Sequence, residues 1–296
     1  MRAQQHPPRS HAIHSRVRSF SRAGGRLRAG QAALLAEHGP DLVLEVPRHD
    51  AVRTVDPTWR LDVGETFGHG RRETAARPLL LEIGPGSGEA LLAHAAAHPH
   101  VDHLAVEVWE TAIARMVSSI VREGLANVRV VPADASQLLA TALPEASVEE
   151  LWTFFPDPWR KPRHRKRRLV EPGFARAVAR VLVPGGTWRL ATDWADYAWQ
   201  MRDTLEAAAG QGLFTLPDAG ARPALGARTW VEGDLGNGVD PGSPSGTLGG
   251  WSERFEGRVP TRFEQRGIEA GRTVRDLTAV RTHRPWDSGP TSPAGR

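Results

Sequence analysis

Short apolar runs alternate with amphipathic stretches through the middle of the chain. Leu79–Ile83 is apolar except for Glu82, which is typical of a strand buried on both faces of a parallel sheet. Further strands are predicted over residues 104–108, 127–131, 148–155, 186–191 and 273–281. Helical spacing is found over residues 31–37, 88–97, 111–123 and 173–182. This alternation predicts an α/β fold with a mostly parallel, doubly wound sheet and right-handed crossovers.

A glycine-rich turn follows the first predicted strand. Gly84, Gly86 and Gly88 allow a tight strand-to-helix turn in which a ligand can lie against the main chain. Their spacing differs from the Gly-x-Gly-x-x-Gly of dinucleotide-binding folds, and Glu82 ends the strand where it would meet a cation. The turn therefore favours a sulfonium cofactor, with a plain strand-to-helix turn as the alternative.

Acidic residues end three consecutive predicted strands. Glu82 and Glu107 stand near the ends of the first two strands, and Asp134 lies just beyond the third. Each carboxylate could singly be a helix cap or a solvated charge. Together they outline a crevice at the carboxyl edge of a doubly wound sheet, where such folds bind their ligands.

The loop after the fourth predicted strand combines aromatic rings with a carboxylate. In the segment 154–159 two prolines hold Asp157 beside Phe154, Phe155 and Trp159. A fixed acid beside aromatic surface suits a nucleobase, whereas the alternative is a structural turn capped by Asp157.

A dense run of basic residues follows that loop directly. Every position from Arg160 to Arg168 except Pro162 can carry positive charge, and no fold requires such a run. Its place between two core strands favours contact with a nucleic acid backbone, with a solvated face as the alternative. A second basic segment precedes Glu37, because residues 1–36 contain seven arginines and no acid. That segment is either a disordered tail or an arm that contacts a polyanion.

Composition bounds the class of protein. The 296 residues are 40% hydrophobic, carry a net charge of +4 and include no cysteine, so disulfides and cysteine-ligated zinc are excluded. No apolar run approaches the roughly 20 residues of a membrane span, and the amino terminus has no signal core. We expect a soluble cytoplasmic protein with a basic arm over residues 1–60, a core domain over 61–284 with a surface insertion at 216–250, and a mobile tail at 285–296.

Several motifs together resemble one enzyme family. They comprise the strand and turn at 81–88, the strand end at 106–108, the loop 154–159 with its basic successor, Ala191–Trp194, and the segment 261–267. The chain resembles the bacterial tRNA (guanine-N7-)-methyltransferases over about residues 18–281. The resemblance implies a Rossmann-like class I fold and transfer of a methyl group from S-adenosylmethionine to N7 of a guanosine (guanine-46) in the tRNA variable loop.

The resemblance also implies roles for individual residues. The implied cofactor-binding residues are Glu82, Gly84, Gly86, Gly88, Glu107, Asp134 and Asp157, with Asp157 also catalytic. The implied substrate-binding residues are Lys161, Asp193, Thr261, Arg262, Phe263 and Glu264. The implied RNA contacts are Arg163, His164, Arg165, Lys166, Arg167 and Arg168. No metal, membrane or obligate protein partner is expected, and the chain would be a monomer or homodimer.

The chemistry that this family performs agrees with the residues present. Guanine N7 has an in-plane lone pair and no proton, so methyl transfer needs in-line approach and a dry site rather than a general base. Asp193 and Glu264 are predicted to accept hydrogen bonds from guanine N1 and N2. The insertion at 216–250 departs from the family pattern and leaves the geometry of the following segment open. Another RNA methyltransferase or a non-catalytic RNA-binding protein are the alternative functions.

Overall fold

The alternating pattern folds into one twisted sheet with helices on both faces. A computed structural model describes residues 27–48, 55–68, 77–218 and 251–286. Within these residues the sheet has seven strands in the order β3-β2-β1-β4-β5-β7-β6. The strands are β1 (Leu79–Ile83), β2 (Asp102–Val106), β3 (Val128–Val131), β4 (Val148–Phe154), β5 (Leu182–Thr192), β6 (Phe214–Thr215) and β7 (Arg275–Arg281).

Helices connect most of these strands. They are α1 (Ala29–Leu42), α2 (Val63–Thr66), α3 (Glu89–Ala97), α4 (Glu110–Glu123), α5 (Ala135–Gln137), α6 (Pro172–Val181), α7 (Ala195–Gly210) and α8 (Arg262–Glu269). A π-helical turn at Leu138–Ala142 follows α5, and a 3-10 helix at Pro162–Arg167 follows β4.

The predicted α/β class and doubly wound sheet are confirmed. Strands β1 to β5 pair in parallel, and β7 pairs antiparallel with β5 and β6 at one edge. The predicted strands and helices of the core are found within a few residues of their expected positions. Helices α7 and α8 and strand β6 were not predicted.

Burial on both faces of the sheet explains the apolar runs. Along β1, Leu79, Leu81 and Ile83 join the core on one face, whereas Leu80 joins the core on the other. The largest buried side chains include Trp152 of β4 and Trp188 of β5. The sheet is therefore a rigid platform for the residues that follow its strands.

The segment before the sheet also packs on it. In α1, Leu34 and Leu35 lie against the core on the side of α4, and Leu44 N–H donates to Val130 O at 2.8 Å. The predicted basic arm lies outside the described residues as far as residue 26, as do residues 219–250 of the insertion and 287–296 of the tail. Among the described helices, none is long and apolar enough to cross a membrane.

Candidate active site

The glycine turn after β1 takes the left-handed backbone that its sequence favours. Gly86 and Gly88 have φ values of 59° and 83°. A Cβ at Gly88 would lie 2.9 Å from Met116 Cγ, so the start of α3 packs on α4 only with glycine there. Along the turn Gly84 is exposed, Gly86 is half-buried and Gly88 is buried at the carboxyl edge of the sheet.

Glu107 holds this turn in place. Its Oε2 accepts from Gly86 N at 3.1 Å, and its Oε1 accepts from Val108 N at 2.7 Å and Trp109 N at 2.9 Å. Burial raises the pKa of Glu107, while these three backbone hydrogen bonds oppose the rise. The carboxylate thus fixes the end of β2 to the glycine turn.

Glu82 is the least satisfied acid of the crevice. It is 4% exposed, and its Oε2 has no hydrogen-bond partner among the described residues. Burial raises the pKa of Glu82 to about 8, and the neighbouring Glu107 and Glu89 raise it while the Leu91 N–H and Arg258 lower it. With a pKa of about 8, Glu82 is protonated near neutral pH in the ligand-free protein, and a cationic group bound beside Oε2 would lower that pKa and favour the carboxylate.

The third predicted cofactor acid has a structural contact. Asp134 Oδ1 accepts from Ser136 N at 2.9 Å and Gln137 N at 3.4 Å, so it caps α5. The cap matches the alternative that its sequence position left open. Its role toward a cofactor stays a prediction.

The loop after β4 has an unusual backbone. Phe155 and Trp159 have φ values of 49° and 41°, which non-glycine residues rarely adopt. Between them Asp157 is exposed, and partial desolvation by the surrounding protein raises its pKa while Arg167 opposes the rise. The Arg167 guanidinium stacks 3.5 Å from the centre of the Trp159 ring.

The basic segment after this loop has two kinds of residue. Lys161, Arg163 and Lys166 are exposed around the 3-10 helix, whereas Arg165 forms an ion pair with Asp196 at 3.1 Å. His164 is half-buried against the edge of the Trp159 ring. The exposed cations form a basic surface beside the loop that carries Asp157.

Arg168 corrects the prediction made for the whole run. Its side chain is buried and donates to Pro158 O at 2.8 Å, Gln200 Oε1 at 2.9 Å and Asp196 Oδ2 at 2.6 Å. These bonds tie the Asp157 loop to α7. Arg168 is therefore a structural residue, and its guanidinium is not part of the basic surface.

The segment 261–264 lies over the glycine turn, although it is distant in sequence. Thr261 caps α8 by accepting from Glu264 N at 3.2 Å, and Arg262 N donates to Glu89 Oε2 at 2.7 Å. Phe263 is 58% exposed, and its ring lies 3.7 Å from the position of a Cβ on Gly86. The start of α8 therefore borders the same crevice as the cofactor acids.

Glu264 does not have the open carboxylate that was predicted. It is buried, and it accepts from Arg254 Nε at 2.8 Å and from Arg258 Nη2 at 3.1 Å. Burial acts to raise its pKa, but the bonds from both arginines lower it below the ordinary value. The predicted acceptor for guanine is thus occupied by the chain's own cations.

Asp193 lies against the same helix. Its Oδ2 accepts from Arg272 Nε at 2.7 Å and would lie 2.6 Å from a Cβ on Gly267 of α8. The fold therefore brings Asp193 and the helix of Glu264 together, as predicted from their separate motifs. Contact of Asp193 with guanine stays a prediction.

Two arginines of the site were missed from sequence. Arg254 and Arg258 stand in a stretch rich in charge and glycine that reads as surface. Arg258 is 0% exposed and also binds Asp276 of β7. A polar stretch just before a family motif gave no local signal of burial.

Comparisons with known proteins agree with this geometry. A family model described as "Putative methyltransferase" matches residues 76–214. A tRNA (guanine-N(7)-)-methyltransferase of Paenarthrobacter aurescens is 40% identical over 276 residues, which cover 88% of this chain and 90% of the relative. Proteins of the same description from Cutibacterium acnes and Methylococcus capsulatus are each 38% identical, covering 91% and 93% of this chain and 86% and 96% of those proteins. With this identity over nearly its whole length, the chain belongs to the family of tRNA (guanine-N(7)-)-methyltransferases.

Proposed function

We propose that this protein transfers the methyl group of S-adenosylmethionine to N7 of guanine-46 in the variable loop of tRNA. The observation that carries the proposal is the position of α8. Its first residues, Arg262 and Phe263, lie over the glycine turn that Glu107 holds. This places the late family motif and the glycine turn at one crevice.

The residues of the crevice fit the cofactor. Gly86 offers main chain without a side chain, and Glu82 Oε2, which has no hydrogen-bond partner among the described residues, belongs to a buried acid that a cationic group would convert to the carboxylate. Glu82, Gly84, Gly86, Gly88 and Glu107 would hold the cofactor, with Asp134 and Asp157 at its border. S-adenosylmethionine, when bound, supplies an electrophilic methyl group on a sulfonium centre.

The chain's part in the reaction is to orient and to stabilise charge. Guanine N7 attacks with its own lone pair, so no side chain has to remove a proton from it. The purine gains positive charge during transfer, and the carboxylate of Asp157 would stabilise that charge from a loop held by Arg168 and two prolines. Asp193 would accept a hydrogen bond from the guanine edge.

The basic surface would bind the RNA backbone. Lys161, Arg163 and Lys166 are exposed next to the Asp157 loop, so phosphates could be held beside the crevice without reading sequence. Arg167 lies in the same segment and stacks on Trp159 in this structure.

Methylation of tRNA by the purified protein tests the proposal. We expect 7-methylguanosine, detected by mass spectrometry of digested tRNA, and no product when position 46 is changed from guanosine to adenosine. Asp157→Asn should reduce turnover by about 100-fold, within the range for loss of one preorganised electrostatic group, with unchanged melting temperature. Binding of tRNA without any binding of S-adenosylmethionine in a calorimetric titration would instead identify a non-catalytic RNA-binding protein.

A further inference from the structure

A fully buried arginine connects the parts of the crevice that come from distant sequence. Arg258 Nη2 donates to Glu264 Oε1 and Asp276 Oδ2, both at 3.1 Å, and its Nη1 donates to Asp276 Oδ1. The outer residue Arg254 donates to both oxygens of Glu264, at 2.8 and 2.9 Å. We call Arg254, Arg258, Glu264 and Asp276 the Arg258 cluster.

The cluster reaches the loop that carries Asp157. The Arg258 guanidinium lies 5.1 Å from the centre of the Phe154 ring and 5.5 Å from that of Phe155. Phe154 ends β4, and Phe155 has the left-handed backbone that begins the loop. One side chain therefore contacts the start of the loop, strand β7 and helix α8.

Glu264 has no oxygen left for a substrate. Its side chain is 3% exposed, and each carboxylate oxygen accepts from an arginine at 2.9 Å or less. A guanine edge that approached Glu264 would have to displace Arg254 or break the bond from the buried Arg258, because these two arginines already donate to the carboxylate oxygens. Glu264 is thus built into the protein rather than presented to a ligand.

The Arg258 cluster contributes more to the relative positions of the elements around it than to the free energy of unfolding. A buried ion pair often contributes little net stability compared with apolar side chains of similar volume. The planar guanidinium, however, binds two carboxylates in fixed directions, which a lysine ammonium does not do. Such a group fixes the angle between α8, β7 and the Asp157 loop.

We propose that Arg258 is a positioning residue for methyl transfer and that Glu264 acts through it, without contacting guanine. This inference rests on the proposed function. Arg258 holds the start of α8 over Gly86 and fixes the Phe155 end of the Asp157 loop. The Arg258 cluster thus aligns the start of α8 with the Asp157 loop across the crevice.

Three variants test this role in methyl transfer to tRNA. They are Arg258→Lys, Glu264→Gln and Asp276→Asn, with the double variant Arg258→Lys/Glu264→Gln. Each single variant should lower kcat about 10- to 100-fold, because small displacements of reacting groups cost about that much, while the cofactor Kd stays within about twofold. The double variant should be no slower than its slower parent, since both changes disable one unit.

A second substrate separates positioning from direct contact. Inosine at the methylated position keeps N7 but lacks the 2-amino group of guanine. Positioning predicts that each variant loses the same factor on guanosine and on inosine. Arg180→Lys is the matched control, because Arg180 donates to Leu139 O and Leu143 O, outside the Arg258 cluster, and should alter only the melting temperature.

The outcomes distinguish a failure of the proposed function from a failure of the positioning role of Arg258. A wild-type protein that does not methylate tRNA would refute the proposed function itself. With an active wild type, full activity of Asp276→Asn and Arg258→Lys beside an inactive Glu264→Gln would overturn the positioning role and indicate direct contact. Loss of the preference for guanosine over inosine in Glu264→Gln alone would have the same meaning. Asp276→Asn keeps both Arg258 and Glu264. Its activity therefore still tests the positioning role if the other variants fail to fold.

Discussion

Two buried titratable side chains at opposite edges of the parallel sheet, Glu82 and His103, are held in opposite ways. At the carboxyl edge, Glu82 is a buried acid with an unused oxygen, and Phe155 adopts a strained backbone. At the amino edge, His103 of β2 is fully buried but bonded through both ring nitrogens, to His94 Nδ1 at 2.8 Å and to Val101 O at 3.0 Å.

The difference shows which polar residues are available for chemistry. Asn127 adds further hydrogen bonds at the amino edge, to the carbonyls of Ala95, His98 and Val101. His94 stacks on His98 with ring centres 3.9 Å apart and bonds to His103, so the histidines form a packed network. An unsatisfied polar group is costly, and Glu82 Oε2 lies at the carboxyl edge, where a ligand can satisfy it.

The largest effect should follow from neutralising the unsatisfied acid. The pKa of Glu82 is raised to about 8, so its favourable contribution is present below pH 4.5 and is lost as the pH rises through 8. Glu82→Gln should therefore stabilise the ligand-free protein by about 2 to 4 kcal/mol at pH 9 and by little at pH 5. Thermal melting across this range measures the effect, and calorimetry should show weaker binding of S-adenosylmethionine.

The control for this variant is Glu110→Gln, because Glu110 is exposed in the first turn of α4. It should change neither the pH dependence of melting nor cofactor binding. Identical melting curves of Glu82→Gln and wild type at pH 9 would contradict the prediction that ionised Glu82 destabilises the ligand-free protein.

A smaller effect of opposite sign is expected at the amino edge. Burial lowers the pKa of His94 to about 4 and that of His103 to about 3, and the neighbouring His98 lowers both further. The unfolded chain therefore binds protons first as the pH falls below about 6.5, and stability is lost from there down through the folded pKa values. At pH 5 the pair should cost about 2 kcal/mol relative to pH 7, which is less than the sum of the two full shifts because His94 is only half-buried and solvent screens its charge.

The double variant His94→Gln/His103→Gln measures this contribution. The free energy of unfolding of the double variant minus that of wild type should be about 2 kcal/mol higher at pH 5 than at pH 7. The contribution of Glu82 cancels in this difference, because both proteins contain Glu82. His283→Gln, at an exposed histidine, should leave the difference unchanged. If this difference in the free energy of unfolding is the same at pH 5 and pH 7, the prediction that folding lowers the pKa of both histidines is wrong.

The smallest effect per residue should come from the exposed cations of the carboxyl edge. Replacing Lys161, Arg163 and Lys166 with glutamine should flatten the dependence of log K for tRNA on log salt by about 0.7 to 0.9 per lost phosphate contact. Filter binding at several salt concentrations gives the slope. Replacing the exposed Arg115 and Arg122 of α4 is the control, and an unchanged slope in the triple variant would make the segment a solvated surface.

Much of this arrangement could be predicted because its signals are local. The apolar run at Leu79–Ile83, the glycines after it and the acids near successive strand ends all lie within short stretches. Their meeting at one sheet edge follows from parallel topology alone. Asp193 and α8 also meet, since each belongs to a motif that points to the same crevice.

What could not be predicted depends on partners distant in sequence. Arg168 differs from Arg163 in its buried contacts with Pro158, Asp196 and Gln200, which no local pattern predicts. Glu264 similarly appears available in the sequence, because the arginines that bind it lie in an unremarkable polar stretch. Burial of charge is decided by tertiary packing, so it leaves no signal in the local sequence.

The anchoring of the segment around residues 219–250 has a consequence for how this protein can be altered. Ser252 hydrogen-bonds to the Asp218 carboxylate, and both flanks attach to β7, through Thr215 with Val280 and Ser252 with Asp276. The two ends are thus already joined, and each doubling of the connecting length costs only about 0.6 kcal/mol of closure entropy. Evolution can lengthen or shorten the chain at this point without moving the crevice, and a reporter domain or a new pair of termini can be grafted there.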